Sequence, residues 1–322
     1  MTDRDANPEP AHLNPEPWAL DPAPSPDRPL APGLYLVATP IGNLEDITLR
    51  ALRVLRSVDR IACEDTRQTA KLLGHFGIRT PTVSYHTHNE NARASELIEA
   101  LRAGGRIAVV SDAGTPGIAD PGATIAAEAI AAGIAVYPIP GANAAISALT
   151  ASGLPAESFT FHGFLPSKEG QRRSTLEALR ATMTPNQPPT THIFYETPHR
   201  ILDALADVIA VFGPNHPIAL ARELTKLHEE FLRGPAAEVL ATLQARPNVR
   251  GEMVLLLDGT PSLTLSSPDN PNPHATIADE VAALIRTENL SEKDALKRVA
   301  KSRNLGKSEA YREWQRTQPR KR

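Results

Sequence analysis

The sequence predicts an α/β protein: two successive α/β subdomains with a cleft between them, and a small helical module after them. Three observations predict it. From Gly33 onward, short apolar runs alternate with amphipathic stretches of helical length. Beyond residue 150 the alternation resumes, but several strands follow one another with little room for a crossover. At 259–273 the texture changes to turn formers with four prolines, which reads as a linker.

Taken in order, residues 1–32 hold nine prolines and no aliphatic periodicity, so they are expected to form a disordered leader. LYLVA (34–38), RIAC (60–63), RIAVVSD (106–112) and IAVYPIP (134–140) are near-continuous apolar runs. TLRALRVLRSV (48–58), ENARASELIEALRAG (90–104) and PGATIAAEAIAAG (121–133) separate them. Strands buried on both faces and spaced by helices give a mostly parallel sheet for residues 33–150. In 151–258, FTFHGF (159–164), THIFYET (191–197), PIALARE (217–223), EEFLRG (229–234) and EMVLLLD (252–258) read as strands. GQRRSTLEALRAT (170–182), HRILDALADVIAVFG (199–213) and PAAEVLATLQA (235–245) read as helices, so this sheet is expected to be mixed. After the linker, 259–275, comes a helical module at 276–322, in which Ser291 and Asp294 form a helix-start pattern.

Composition narrows the function. Aromatic residues are 4% of the chain, too few for a stacked nucleic-acid platform, and the net charge of −3 excludes a uniformly basic, DNA-coating surface. The single cysteine, Cys63, excludes an intramolecular disulfide and a CxxC pair. No apolar run reaches the roughly 18 residues of a membrane span, and the N-terminus has no apolar signal core, so a cytoplasmic protein is expected. The charge is partitioned: residues 276–322 carry 12 Lys/Arg against seven Asp/Glu, +5, which leaves −8 on the rest. A basic module on an acidic body suggests contact with a polyanion through Lys293, Lys297, Arg298, Lys301 and Lys307, or simply a helix pair covering a surface.

The chemistry gathers at strand ends. The loop 111–122, SDAGTPGIADPG, follows the most apolar strand and is rich in Gly and Pro, so its amides can approach a ligand and stay fixed. ATPIGN (38–43) and PIPGAN (138–143) end strands the same way. Neither is G-x-G-x-x-G, and Gly306-Lys307-Ser308 lacks the earlier Gly of a phosphate loop. Charged clusters stand at Glu64–Arg67, Glu196–Arg200 and Arg222–Lys226, where Thr66 and Thr197 are candidate helix caps. His86 and His88 have metal-like spacing, but without a Cys, a nearby third His or an HExxH helix no metal is expected.

Read together and in order, ATPIGNL (38–44), CEDTR (63–67), HNE (88–90), the 111–122 loop, PGA (140–142), FYETPHR (194–200) and RELTK (222–226) resemble the ribosomal RNA small subunit methyltransferase I family of the tetrapyrrole methylase-like superfamily. The resemblance runs from about Gly33 to Asp258 and leaves out the leader. It implies two α/β subdomains of the tetrapyrrole methylase type with S-adenosylmethionine in the cleft between them, and 2′-O-methylation of a cytidine ribose in the decoding region of small-subunit rRNA. It also implies a homodimer, with no membrane and no DNA partner. Carried over by position, the cofactor would lie on Pro40, Ser111, Asp112, Ala113, Gly114, Thr115, Ile118, Ala119, Gly141 and Ala142, with Phe164 facing them. Glu64, Asp65, Glu196 and Glu223 are candidate bases, and Asp65 and Glu196 are favoured because Arg67 and Arg200 follow them. The alternatives are a related methyltransferase acting on a tetrapyrrole or protein, a non-enzymatic ribosome-assembly factor, and a nucleotide phosphohydrolase.

Overall fold

A computed structural model describes residues 29–86, 90–184 and 188–260, and beyond them 277, 281, 284, 285, 291–302, 311, 312 and 314; of 91, 92, 301 and 302 it describes the backbone alone. The expected leader therefore lies almost wholly outside the described residues, as does most of the linker. By contact, the chain divides into one unit up to Thr260 and another from Pro261.

The first unit contains two five-stranded sheets. Strands β1 (Gly33–Val37), β2 (Arg60–Cys63), β3 (Thr82–Ser84), β4 (Arg106–Val110) and β5 (Val136–Ile139) form the first, in the order β3-β2-β4-β1-β5, with every pair parallel. Helices α1 (Leu49–Ser57) and α2 (Thr66–His75) cover one face, where Leu52, Leu55 and Leu73 pack on Tyr35, Val37, Ile61 and Val110. Helices α3 (Glu90–Arg102) and α4 (Ala123–Ala131) cover the other through Leu97, Leu101 and Ile125 against Leu34, Ile107 and Val109. Successive residues of β1 and β4 thus enter opposite cores, which is why these strands read as unbroken apolar runs.

The second sheet is mixed, as its crowded strands require. Strands β6 (Phe159–Phe164), β7 (Thr191–Glu196), β8 (Pro217–Arg222), β9 (Glu230–Pro235) and β10 (Met253–Asp258) lie in the order β6-β7-β10-β8-β9. Only β6 and β7 are parallel; β10 runs antiparallel between β7 and β8. Helices α6 (Glu169–Thr182), α7 (Ile201–Phe212) and α8 (Ala236–Gln244) pack one face through Leu176, Leu205, Val208 and Val239. The opposite face is covered by α5 (Ala144–Ser152), whose Ala145, Ala148 and Leu149 meet Ile193, Ala219 and Leu256. A boundary at residue 150 therefore falls inside a helix that packs on the second sheet, not the first.

Two cap expectations change. Asp65, not Thr66, caps α2: its side chain accepts the Arg67 amide at 2.8 Å. Thr197 does not cap α7 either; a turn intervenes, and the Thr197 carbonyl accepts the Arg200 and Ile201 amides at 3.1 Å. In the second unit, helix α9 (Glu292–Ser302) begins as its sequence predicts, with the Asp294 amide donating to the Ser291 hydroxyl at 3.2 Å. Ala295, Val299 and Ala300 pack there with Ile277 and Val281.

Candidate active site

The carboxyl ends of the first sheet and one end of the second face a shared cavity of about 410 Å³ within the first unit. Ile41 after β1, Glu64 after β2, residues Asp112–Thr115 and Ile118–Asp120 after β4, and Asn143–Ala144 at the start of α5 line one side. Phe164, Tyr195–Pro198, Ala221, Leu224 and Glu252–Val254 line the other. The start of β10 joins the wall because that strand runs antiparallel to β7 and β8, which brings its first residues beside their ends.

The walls are held by backbone ties between loops. Thr39 and Gly114 exchange two amide–carbonyl bonds of 2.8 and 3.1 Å, joining the loop after β1 to the loop after β4. Asp112 accepts the Asp65 amide at 3.0 Å, which adds the loop after β2. Thr115 donates its hydroxyl to the Ala142 carbonyl at 3.2 Å, and Asn143 caps α5 by accepting the Ile146 amide at 3.1 Å. On the far side, Lys226 donates to Glu223 and to Glu252, each at 2.8 Å. Three non-glycine residues near the cavity, Ala119, Glu223 and Thr225, have φ between 52° and 66°. Such conformations persist only where the surroundings impose them, and they concentrate at functional sites.

Of the residues expected on the cofactor, Asp112, Ala113, Gly114, Thr115, Ile118, Ala119 and Phe164 line the cavity, and Phe164 exposes 51% of its surface beside it. Pro40, Ser111, Gly141 and Ala142 are not among the cavity's lining residues, though each adjoins one in the chain or in the same loop. Ser111 is buried with its hydroxyl toward the Ala113 and Gly114 carbonyls, and Gly141 packs so tightly that an added Cβ would lie 2.9 Å from that of Ala38. Asp65 and Arg67 also lie outside the wall: Arg67 donates to both Asp65 oxygens, at 3.3 and 3.2 Å, and is 88% exposed. Glu196 is in the wall with its side chain fully buried, one oxygen on Arg200 at 3.0 Å and the other on the Thr197 amide at 3.1 Å.

Asp120 and the segment Glu252–Val254 were not singled out as functional by their sequence. Asp120 sits within a Gly/Pro loop that does stand out, but nothing local marks it, and the β10 residues carry no motif; their role follows from strand direction. Of the four candidate bases, Glu64 and Glu196 reach the cavity. Burial pushes the Glu64 carboxyl up, Asp112 and Asp65 add to this, and His86 opposes it. Burial likewise pushes Asp120 up to about 6, with Glu64 and Asp112 adding to it and Ser111 opposing. Burial also raises Glu196, against the Thr197 amide and Arg200. Among the described residues no group of three or more His, Cys, Asp and Glu is placed to hold a metal; His88 lies outside them.

The profile of the Tetrapyrrole (Corrin/Porphyrin) Methylases matches residues 33–240. The chain is 47% identical over 281 residues, 86% of its length and 93% of the relative's, to "Ribosomal RNA small subunit methyltransferase I" of Halalkalibacterium halodurans. The chain belongs to this family. A relative of the same name from Bacillus subtilis is 43% identical over 86% of this chain and 92% of its own length. The one from Escherichia coli O157:H7 is 51% identical over 70% and 77%. Among solved structures, diphthine synthase aligns with a TM-score of 0.53 at 16% identity, covering 70% of this chain and 89% of its own, which shows the shared fold. As a family member the chain is an S-adenosylmethionine-dependent methyltransferase.

The cavity suits that cofactor. Its first wall carries three carboxylates, Glu64, Asp112 and Asp120, whose charge would suit a cationic donor, while Ile41, Ile118, Phe164 and Met253 would offer apolar surface for an aromatic base. Its size is that of a small-molecule site.

Proposed function

We propose that this chain methylates the ribose 2′-oxygen of a cytidine in the decoding region of small-subunit rRNA, acting in the cytoplasm as a homodimer. The reading is supported most by one observation: near-50% identity to relatives of that name over most of both chains, around a cavity whose two walls come from two sheets. Asp112 through Thr115, Ile118, Ala119 and Phe164 would hold the cofactor, with Pro40, Ser111, Gly141 and Ala142 keeping the loops in register. S-adenosylmethionine supplies a methyl carbon on an excellent leaving group. What remains for the protein is to exclude water, align the hydroxyl and accept its proton. Arg200, held by the Leu165 carbonyl and Glu196, fixes the end of β7 at the cavity edge. On this reading, exposed Arg67 is a phosphate contact at the rim.

The test is to map 2′-O-methyl nucleotides in small-subunit rRNA from cells lacking the gene, and to restore the mark with purified enzyme and isolated subunits. One cytidine should lose its mark and regain it. An unchanged methylation map would reject the reading. Light scattering tests the dimer.

A further inference from the structure

The carboxylates around the cavity fall into two groups. Glu196 has both oxygens engaged, Glu252 is held by Lys226, and Asp112 takes the Asp65 amide. Asp65 and Glu223, outside the wall, are paired with Arg67 and Lys226. Among the described residues, Glu64 and Asp120 are the two wall carboxylates not held by a lysine, an arginine or a backbone amide, and of them Glu64 feels the charge of His86.

Of these two, Asp120 is the one the fold positions with most constraint. It follows Ala119, held at φ 61°. The turn around it closes with the Gly117 amide on the Pro121 carbonyl at 3.1 Å, and Gly122 holds φ 134°, which side chains rarely adopt, with an added Cβ 3.1 Å from the Gly117 nitrogen. Glu64 from the loop after β2, with Asp112 and Ser111 from its own loop, face it on one side. Tyr195, at the end of β7, faces it across the cavity, and His86 after β3 acts on Glu64.

We propose that Asp120 is the catalytic base, the group that accepts the proton of the acceptor hydroxyl during methyl transfer. This rests on the methyltransferase reading of the cavity. The hydroxyl oxygen forms its bond to the donor's methyl carbon as the carbon–sulfur bond breaks. The bonding pair stays on sulfur, leaving a neutral thioether, and the hydroxyl proton passes to the Asp120 carboxylate. A carboxyl held near 6 fits this role, being ionised at neutral pH yet more basic than an ordinary aspartate. Glu64 acts as a positioning residue that keeps the Asp120 proton affinity high.

The experiment compares wild type, Asp120→Asn and Glu64→Gln as full chains, at saturating donor, with isolated small subunits as acceptor between pH 5 and 8.5. S-adenosylhomocysteine, whose sulfur is neutral, is the calorimetric binding probe. Wild-type turnover should fall as pH drops through about 6. Asp120→Asn should bind the probe within about threefold of wild type while kcat falls about 10²–10⁴-fold. Glu64→Gln should move the acid limb to lower pH. Asp120→Asn turning over within tenfold of wild type overturns the proposal, as does loss of probe binding without a kcat effect. Should Asp120→Asn not fold, an acid limb unmoved in Glu64→Gln overturns it equally. A wild type inactive on subunits refutes the acceptor proposed above; an active wild type with an active Asp120→Asn refutes the base alone.

Discussion

At Gly42 the loop after β1 meets the loop after β8 with no space for a side chain. An added Cβ would lie 2.4 Å from Lys226 Cγ, 2.9 Å from Thr225 Oγ1 and 3.0 Å from the Leu224 carbonyl oxygen. The lysine could shift, but the carbonyl belongs to a strained turn with Glu223 at φ 52° and Thr225 at φ 66°. Gly42→Ala should therefore force the two cavity walls apart. We expect a loss of about 1–3 kcal/mol in stability and weaker S-adenosylhomocysteine binding, read by denaturant titration and calorimetry. A different residue-scale cost sits at Asp207, 2% exposed, which receives Arg172 and Arg173 at 2.6 Å each. Arg172 is itself only 5% exposed, so Asp207→Ala would leave a buried guanidinium without its counter-charge. Unfolding should then require about 3–5 kcal/mol less, with cofactor binding kept if the chain stays folded under assay conditions.

At the scale of elements, the second sheet carries a pH dependence of its own. His162 and His192 lie 3.0 Å apart across β6 and β7, and His216 is buried nearby. Burial lowers all three, His192 to about 4, with His162 and His216 adding to its shift. In the unfolded chain a histidine takes its proton near 6.5. Between about 6.5 and 4 the unfolded state therefore binds more protons than the folded one, and stability falls as pH falls, by at most about 1.4 kcal/mol per pH unit for His192. Urea unfolding from pH 7.5 to 4.5 should show this slope, and His192→Gln should flatten it. The sign would be the reverse if these rings were charged in the fold. The same sheet shows what sequence can convey. Its apolar strands were legible because both faces are covered, whereas Thr82–Ser84 in the first sheet is three residues long and half-buried, too short to make a pattern. Helix α2 hides for a similar reason, burying only Thr69 and Leu73. The Gly/Pro loops were legible because their composition is itself the constraint. Asp120 was not, because its setting depends on Glu64, 56 residues away in the chain.

For the whole molecule, charge separates the two units. Residues 276–322 carry +5 while the remainder carries −8, and Lys293, Lys297 and Arg298 are exposed on α9; Lys307 and the Lys301 side chain lie outside the described residues. An acidic catalytic unit repels an RNA backbone in general, so affinity for the subunit needs a local source of positive charge. If the second unit provides it, removing residues 261–322 should weaken subunit binding and flatten its dependence on salt. Each lost phosphate contact should reduce the log–log slope by roughly 0.7–0.9. The cavity and the four apolar clusters that support it belong to the first unit, so the truncated chain should keep S-adenosylhomocysteine affinity and its unfolding midpoint. Reversing Lys293, Lys297 and Arg298 to glutamate in the full chain is the sharper version, since it leaves the Ala295 and Val299 core in place. A helix pair that only covers surface would behave otherwise: the charge reversal would leave the slope unchanged, while the truncation would lower the midpoint or alter the oligomer. Salt slopes measured for both proteins on the same subunits decide between the two, because only a phosphate contact makes the slope follow the charge.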